Sequence, residues 1–105
     1  MADRNLYQLH ASICHTLANP KRLEIIDKLR AGELSVTELV ESLKISQSNL
    51  SQHLAIMRQT GIVTTRREGL NIFYRLSNLK IIRACDLMRQ VLLENLESDV
   101  ELARG

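Results

Sequence analysis

Near the middle of the chain, a run of small and amide side chains could hydrogen-bond to another molecule. At about 100° of rotation per helical residue, Ser48, Ser51, Gln52, Ala55 and Gln59 fall on one face. Solvated helix faces are normally rich in Lys and Glu, whereas this face carries no charge. Gln can donate and accept at once, as the N6/N7 edge of adenine requires, and Ala leaves room for a thymine methyl group. These residue types therefore predict a surface that contacts base edges in DNA.

Within this segment the expected contacts differ by position. Ser48, Ser51 and Gln52 are predicted to read bases, and Gln47 flanks them. His53 lies on the shoulder of the helix, where contact with phosphate or packing against the protein is expected rather than sequence reading. The alternative is a core helix whose outer face is polar by chance, and the flanking elements decide between the two.

The segment also has the boundaries and the apolar face of a helix. Ser46 can cap the N-terminus with its hydroxyl, and Gly61 supplies the left-handed residue that commonly ends a helix. Leu50, Leu54 and Met57 share a narrow face opposite the polar one. This side is predicted to pack into a core.

Three helices are expected ahead of it, over about 5–17, 20–31 and 36–43. Residues 33–34 form a short connector to the third helix. That helix begins at a capping box in which Ser35 is the N-cap and a glutamate follows three residues later. A turn of about three residues joins it to the polar helix, which is the arrangement of a helix-turn-helix.

Beyond the polar helix the apolar period changes from about 3.6 to about 2, which predicts a β-hairpin with strands over 62–67 and 71–76. Arg66 and Arg67 fall near its tip, where they are expected to bind the phosphate backbone as the wing of a winged helix. For Arg67 a solvated side chain is the alternative. Over residues 46–76, four arginines against one glutamate give a local charge of +3. The alternative is a solvated hairpin whose arginines are there by chance.

The last predicted helix runs over about 78–97 and carries more apolar surface than one small domain can cover. Its seam repeats at intervals of three or four residues and consists of Ile81, Cys85, Met88, Leu92 and Leu96. The first helix, over about 5–17, is also apolar on more than one side. The two helices are therefore expected to form the interface of a two-fold homodimer, while the acidic end after position 97 frays into solvent.

Length and composition indicate one winged-helix domain, 1–105, in a mainly α-helical fold with a β-hairpin. The chain has 105 residues, of which 45% are hydrophobic and 25% charged, as is ordinary for a globular protein. The first five residues contain no apolar h-region of the kind found in signal sequences, and no apolar run approaches the roughly 20 residues that span a bilayer. A cytoplasmic location without membrane contact is therefore expected. Neither a cofactor nor a metal is expected.

An enzyme is not expected, and no residue is assigned a catalytic role. His10 and Cys14 could meet on one helix face, but no second base, carboxylate pair or phosphate loop supports them. A helical adaptor would show the same dimer seam but would not need a basic hairpin or an uncharged helix face. A sequence-specific DNA-binding transcriptional regulator accounts for both, and salt-dependent binding to duplex DNA discriminates between these classes.

The order of elements and five short segments resemble the ArsR/SmtB family of bacterial winged-helix repressors. The segments are L-A-N-P-K-R-L-E-I-I at 17–26, G-E-L-S-V-T-E-L at 32–39, S-Q-S-N-L-S-Q-H-L at 46–54, G-I-V at 61–63 and F-Y-R-L at 73–76. The resemblance covers most of the chain. It implies a homodimer that binds a palindromic operator in double-stranded DNA and leaves it when an effector is sensed.

The effector sites of this family are not matched. The two third-helix cysteines of metal-sensing members would fall at Ser35 and Thr37, where no thiolate is present. The Asp, His, His and Glu ligands of the last-helix site would fall at Asn78, Lys80, Val91 and Glu94, of which one matches. The sequence is more similar to the HlyU-like branch without these metal sites, but the cysteine pair of some members would align near Asp27 and Leu93.

Cys14 and Cys85 lie on the two helices expected at the dimer interface and leave three interpretations. Each can pack as an inert small hydrophobe, since free cysteine is commonly buried. A thiol switch is the second, because oxidation or persulfide bridging between the helices would alter the spacing of the recognition helices. Metal binding by His10, Cys14 and His15 is the third, although adjacent helical residues point about 100° apart.

Overall fold

The computed structural model describes residues 2–104, and the surroundings of side chains from residue 5 onward; positions 1 and 105 of the predicted domain lie outside it. Within these residues the chain forms five α-helices and a three-stranded antiparallel sheet. In chain order they are α1 (Ala2–Leu17), α2 (Pro20–Lys28), β1 (Leu34–Ser35), α3 (Val36–Leu43), α4 (Gln47–Gln59), β2 (Val63–Glu68), β3 (Asn71–Leu76) and α5 (Lys80–Arg104). The mainly helical winged helix-turn-helix fold is therefore confirmed.

Three helices begin at side-chain caps that the sequence predicts or allows. Asn19, Ser35 and Ser46 each accept a hydrogen bond from the backbone N–H three residues later, at 3.1 Å. Glu38 returns the bond to the Ser35 backbone N–H at 2.9 Å, which completes the capping box. These local bonds fix where α2, α3 and α4 start.

The core lies between the helices and one face of the sheet. Its buried hydrophobic residues all lie in the part of the chain from α2 to β3. They are Ile25, Ile26, Leu29, Leu39, Leu43, Leu50, Leu54, Met57, Ile62, Val63 and Leu76. The apolar face predicted for α4 is confirmed, since its three members are buried. Burial on this scale is the main favourable term in folding a domain of this size.

The sheet contains one strand more than the sequence predicts. Leu34, placed in a connector, lies in β1 and pairs with Tyr74, while Ser35 pairs with Phe73, so the strand order is β1-β3-β2. A two-residue strand is too short to show an apolar period. It forms because β3 has a second edge whose backbone groups need partners.

The predicted ends of two helices are wrong. α2 stops at Lys28, because residues 29–31 wind into a 3₁₀ turn before Gly32, whose φ of 143° breaks the helix. α5 does not fray near 97 but continues to Arg104. Val100 extends the apolar seam by another interval of four, and neither Gly nor Pro occurs between the two positions.

α5 joins the rest of the protein through its first turns. Ile81, Ile82 and Cys85 are half-buried against the core. The Arg30 guanidinium binds the Asp86 carboxylate in a bidentate pair, with N–O distances of 2.7 and 3.0 Å. In the described part of the chain, no residue of α5 is buried, so most of its apolar seam has no covering surface. None of the described helices combines the length and apolar composition that crossing a membrane requires.

Candidate nucleic-acid interface

The outer face of α4 presents free hydrogen-bonding groups. Gln47, Ser48, Ser51 and Gln52 are exposed, as the sequence predicts for a binding face. Among the residues that the structure describes, none of these four side chains hydrogen-bonds to another part of the protein. Their donors and acceptors are therefore available to a partner, and the first turns of a recognition helix are the part that usually reaches base edges.

The opposite side of α4 holds this face in position. Leu50, Leu54 and Met57 are at most 1% exposed. The Ile62 N–H donates to the Met57 carbonyl at 2.8 Å, and Gly61 makes the turn between them with a left-handed φ of 81°. A face that must read base edges needs such a rigid support, because an ordered donor loses less entropy on binding.

His53 is placed differently from the four exposed residues. It is half-buried, and its Nδ1 accepts a hydrogen bond from the Arg22 Nε–H at 3.2 Å. Burial first, and then the positive charges of Arg22 and Lys21, lower the pKa of His53. The half-buried position against Arg22 of α2 agrees with the packing alternative at the helix shoulder.

A second polar contact joins the C-terminal end of α4 to α1. The hydroxyl oxygens of Thr16 and Thr60 lie 3.2 Å apart. Each also lies 2.9 Å from a main-chain carbonyl that can accept its proton, that of Ser12 for Thr16 and that of Ile56 for Thr60. Thr16 is 1% exposed and is the only polar residue that is buried among residues 5–104. Sequence reasoning missed this contact, since no local pattern links residues so far apart.

The two wing arginines lie on opposite faces of the hairpin. Arg66 is paired with Phe73 and Arg67 with Ile72, and successive side chains of a strand alternate between faces. Arg66 makes ion pairs with Glu33 and Glu68 and stacks over the Phe73 ring at 4.6 Å. Arg67 is exposed and makes no ion pair within the described residues. Only Arg67 therefore has the free charge expected of a phosphate ligand.

The contacts of Arg66 shift the pKa values of Glu33 and of Arg66 itself. Hydrogen bonds from Arg66 hold the pKa of Glu33 below its ordinary value, and the charge of Arg75 adds a smaller effect in the same direction. Glu33 and Glu68 in turn raise the pKa of Arg66 further above its ordinary value. Both shifts favour the charged forms of Glu33 and Arg66.

Cys14 and Cys85 line one groove between α1 and α5. The groove has a volume of about 630 Å³ and is largely apolar, with Leu17, Met88 and Leu92 among its walls. Cys14 is exposed and Cys85 half-buried, and both are free thiols. Burial, followed by the charge of Asp86, raises the pKa of Cys85. The structure therefore brings the two cysteines to the same surface.

The metal-binding alternative for these helices finds no support in the geometry. His10 and Cys14 both line the groove, but His15 does not. Across residues 5–104 no three His, Cys, Asp or Glu side chains converge as a metal ion would require.

The geometry defines a class of protein. α3 and α4 form a helix-turn-helix with an open polar face on its second helix, and β2 and β3 form the wing directly after it. This combination is that of a winged helix-turn-helix DNA-binding protein.

Comparisons with known proteins identify the family. The family model for bacterial regulatory proteins of the arsR family matches residues 19–65. The transcriptional activator HlyU of Vibrio cholerae is 44% identical over 75 residues, which cover 71% of this chain and 69% of that protein. The biofilm growth-associated repressor of Agrobacterium fabrum is 46% identical over 78 residues, which cover 74% and 67%.

A solved structure agrees over nearly the whole chain. The homodimeric winged helix-turn-helix DNA-binding domain of a possible ArsR-family regulator from Mycobacterium bovis superposes with a TM-score of 0.82 at 30% identity, covering 91% of this chain and 89% of that one. The chain belongs to the ArsR family of DNA-binding transcriptional regulators and is not an enzyme.

Proposed function

We propose that the protein is a homodimeric repressor that recognises a palindromic operator through α4. The observation that carries this proposal is the exposed, uncharged face of Gln47, Ser48, Ser51 and Gln52, held rigid by the buried face of the same helix. Placed in the major groove, Gln52 can bond in bidentate fashion to adenine, and the two serines can bond to bases or phosphates. The amide of Gln47 and the outward edge of His53 flank this contact.

A second copy of the chain supplies the other half of the contact. α1 and α5 carry exposed apolar side chains, and a two-fold pairing would bury them while placing two copies of α4 about 34 Å apart, one turn of DNA. The Mycobacterium bovis domain is described as homodimeric, which supports this arrangement. A dimer of this kind acts on chromosomal DNA, and we infer a cytoplasmic location.

Repression and its release are the regulatory part of the proposal. A dimer that covers promoter DNA excludes the transcription machinery, and the Agrobacterium relative is named as a repressor, although the Vibrio relative is named as an activator. An effector or a thiol modification would release the operator. Cys14 and Cys85 suit the latter, because their groove lies between the helices proposed to set the dimer geometry.

The decisive experiment compares Gln52→Ala with Gln59→Ala, a matched control on the same face at the other end of α4. Fluorescence anisotropy would measure binding to a duplex selected from a random pool and to an unselected duplex. Gln52→Ala should cost about 1 to 3 kcal/mol on the selected duplex and little on the other, because it removes base contacts. Gln59→Ala should change both only slightly.

The outcomes test DNA binding by the protein separately from base recognition by Gln52. Failure of the unaltered protein to bind any duplex would contradict DNA binding, whereas equal losses of Gln52→Ala on both duplexes would remove Gln52 from base recognition. Transcription in vitro from a promoter containing the selected site distinguishes the direction of control. Increased transcript on adding the protein would contradict repression.

A further inference from the structure

We propose that Arg66 and Glu33 form a clamp that fixes the wing to the helix-turn-helix, and that Arg67 alone is the arginine with which the wing tip contacts DNA. Glu33 is then a positioning residue for DNA binding. The inference rests on the proposed function, and it changes the role expected for Arg66 from the sequence. Its evidence is the register of the hairpin, the partners of each arginine and the charge of each face.

The register separates the two arginines. Arg66 shares a face with Phe73, and Arg67 shares the other with Ile72. The face of Arg67 continues into Val63 and Leu76, which pack into the core, so Arg67 lies on the side of the sheet that faces the helices. Two adjacent residues with the same charge thus project in opposite directions.

The guanidinium of Arg66 is already occupied. Its Nε and Nη2 bind both carboxylate oxygens of Glu33, at 3.2 and 2.5 Å, and its Nη1 binds Glu68 at 2.5 Å. The Phe73 ring lies 4.6 Å below it. Bidentate pairing with a carboxylate is the same geometry that an arginine would use for a phosphate, so Arg66 cannot make both contacts at once.

The charge of this face does not favour DNA. Glu33 and Glu68 together balance Arg66 and Arg75, which shares the face at the other end of β3, so the face carries no net charge. A phosphate that approached Arg66 would also approach two carboxylates. On the opposite face Arg67 stands without a carboxylate partner in the described structure, and it can attract phosphate without that opposition.

Glu33 connects the clamp to the recognition machinery. It directly precedes β1, whose Ser35 is the N-cap of α3, the first helix of the helix-turn-helix. The clamp therefore fixes the distance between the wing and that helix-turn-helix. A two-stranded hairpin is only marginally ordered by itself, so an anchored wing loses less entropy when it meets DNA.

The test uses Arg66→Ala and Arg67→Ala as a matched pair, each removing one charge from neighbouring positions, with Glu33→Gln as the third variant. DNA affinity is measured by anisotropy over a range of salt concentrations. Arg67→Ala should make the slope of log K against log salt shallower by about two units, as for one lost phosphate contact in each protomer of the dimer. Arg66→Ala and Glu33→Gln should keep the slope but weaken operator binding several-fold.

A double variant of Arg66→Ala and Glu33→Gln should bind as weakly as either single variant, because both break one clamp. Hydrogen exchange at the backbone amides of residues 67–71 measures the order of the wing tip in the absence of DNA. Exchange should accelerate in Arg66→Ala and Glu33→Gln and stay unchanged in Arg67→Ala.

Several results would overturn the inference. An equal loss of salt slope in Arg66→Ala and Arg67→Ala would make both phosphate ligands, and tighter binding by Glu33→Gln would show that Glu33 competes with DNA for Arg66. Unchanged exchange in Glu33→Gln would show that no clamp exists. Loss of binding by the unaltered protein would instead refute the proposed function, and the exchange data would still decide on the clamp.

Discussion

The helices α4 and α5 have similar apolar stripes but opposite environments. Leu50 of α4 is completely buried, whereas Met88 and Leu92 of α5 are 69% and 55% exposed. Both stripes repeat at helical intervals, so the sequence alone makes them look equivalent. This difference in exposure shows that α4 completes a core within the chain, while α5 has an apolar surface that its own chain does not cover.

The different environments follow from the position of each helix. α4 lies between α2, α3 and the sheet, so neighbours surround its inner face. α5 is packed against the core only by its first turns and then extends away from it. The described chain, α5 included, measures 60 × 43 × 22 Å along its principal axes. A second copy of the chain is the partner that we propose for this uncovered part.

The largest effect is expected from a charge in the α5 seam. Leu92→Glu would place two like charges in the proposed dimer interface and should yield a folded monomer at micromolar concentration, detectable by analytical ultracentrifugation. Loss of the second half-site contact should reduce operator affinity by a factor on the order of 10² to 10⁴. Leu102→Glu, at a 79% exposed position of the same helix, is the control and should stay dimeric. A dimeric Leu92→Glu protein would move the interface elsewhere.

Truncation of one leucine in each helix sharpens the comparison. Leu54→Ala, in the core, should lower the free energy of unfolding by about 2 to 5 kcal/mol, because it leaves a cavity among buried side chains. Leu96→Ala, at a 51% exposed position, should matter only through the dimer. Denaturant unfolding at several protein concentrations distinguishes the two, since only the loss in Leu96→Ala should depend on concentration. A concentration-dependent loss in Leu54→Ala would contradict this division.

A smaller effect on operator binding is expected from oxidation of the two cysteines. Peroxide oxidises one thiol to a sulfenic acid with release of water, and attack by the second thiol forms a disulfide with release of another water. Cys14 is the better first site, because it is exposed whereas Cys85 is half-buried. Treatment with peroxide should weaken operator binding by the unaltered protein several-fold.

The control is the double variant with Cys14→Ser and Cys85→Ser, which should bind equally well before and after peroxide. Polysulfide would test persulfide bridging in the same two proteins. An equal response of both proteins, or none in either, would identify the cysteines as packing residues and leave release to another effector.

The smallest effect concerns His53 and pH. Its pKa is lowered in the folded protein by burial and by Arg22 and Lys21, so the folded state favours the neutral ring. As pH falls below the ordinary value of about 6.5, the unfolded chain takes up a proton that the folded one excludes, and stability falls until the lowered pKa is reached. Denaturant midpoints across this range should fall more for the unaltered protein than for His53→Gln. Parallel curves would show that His53 does not contribute.

Local chemistry made much of the fold predictable. The caps at Ser35 and Ser46, the apolar face of α4 and the two hairpin strands are all encoded within a few residues of where they act. The candidate DNA face was predictable for the same reason, because helical spacing alone collects Ser48, Ser51 and Gln52. The end of α5 differs from the prediction because its acidic last turns contain neither Gly nor Pro, so nothing in them ends the helix.

The sequence by itself determined the elements, their apolar faces and the family to which the chain belongs. Only the tertiary structure decided which charges are free, because Glu33 and Arg66 meet across 33 positions and Thr16 and Thr60 across 44. It also paired β1 with β3 and brought Cys14 and Cys85 to one groove. Periodicity reports which way a side chain points along its own element, whereas its partner depends on how distant elements pack, which no local pattern contains.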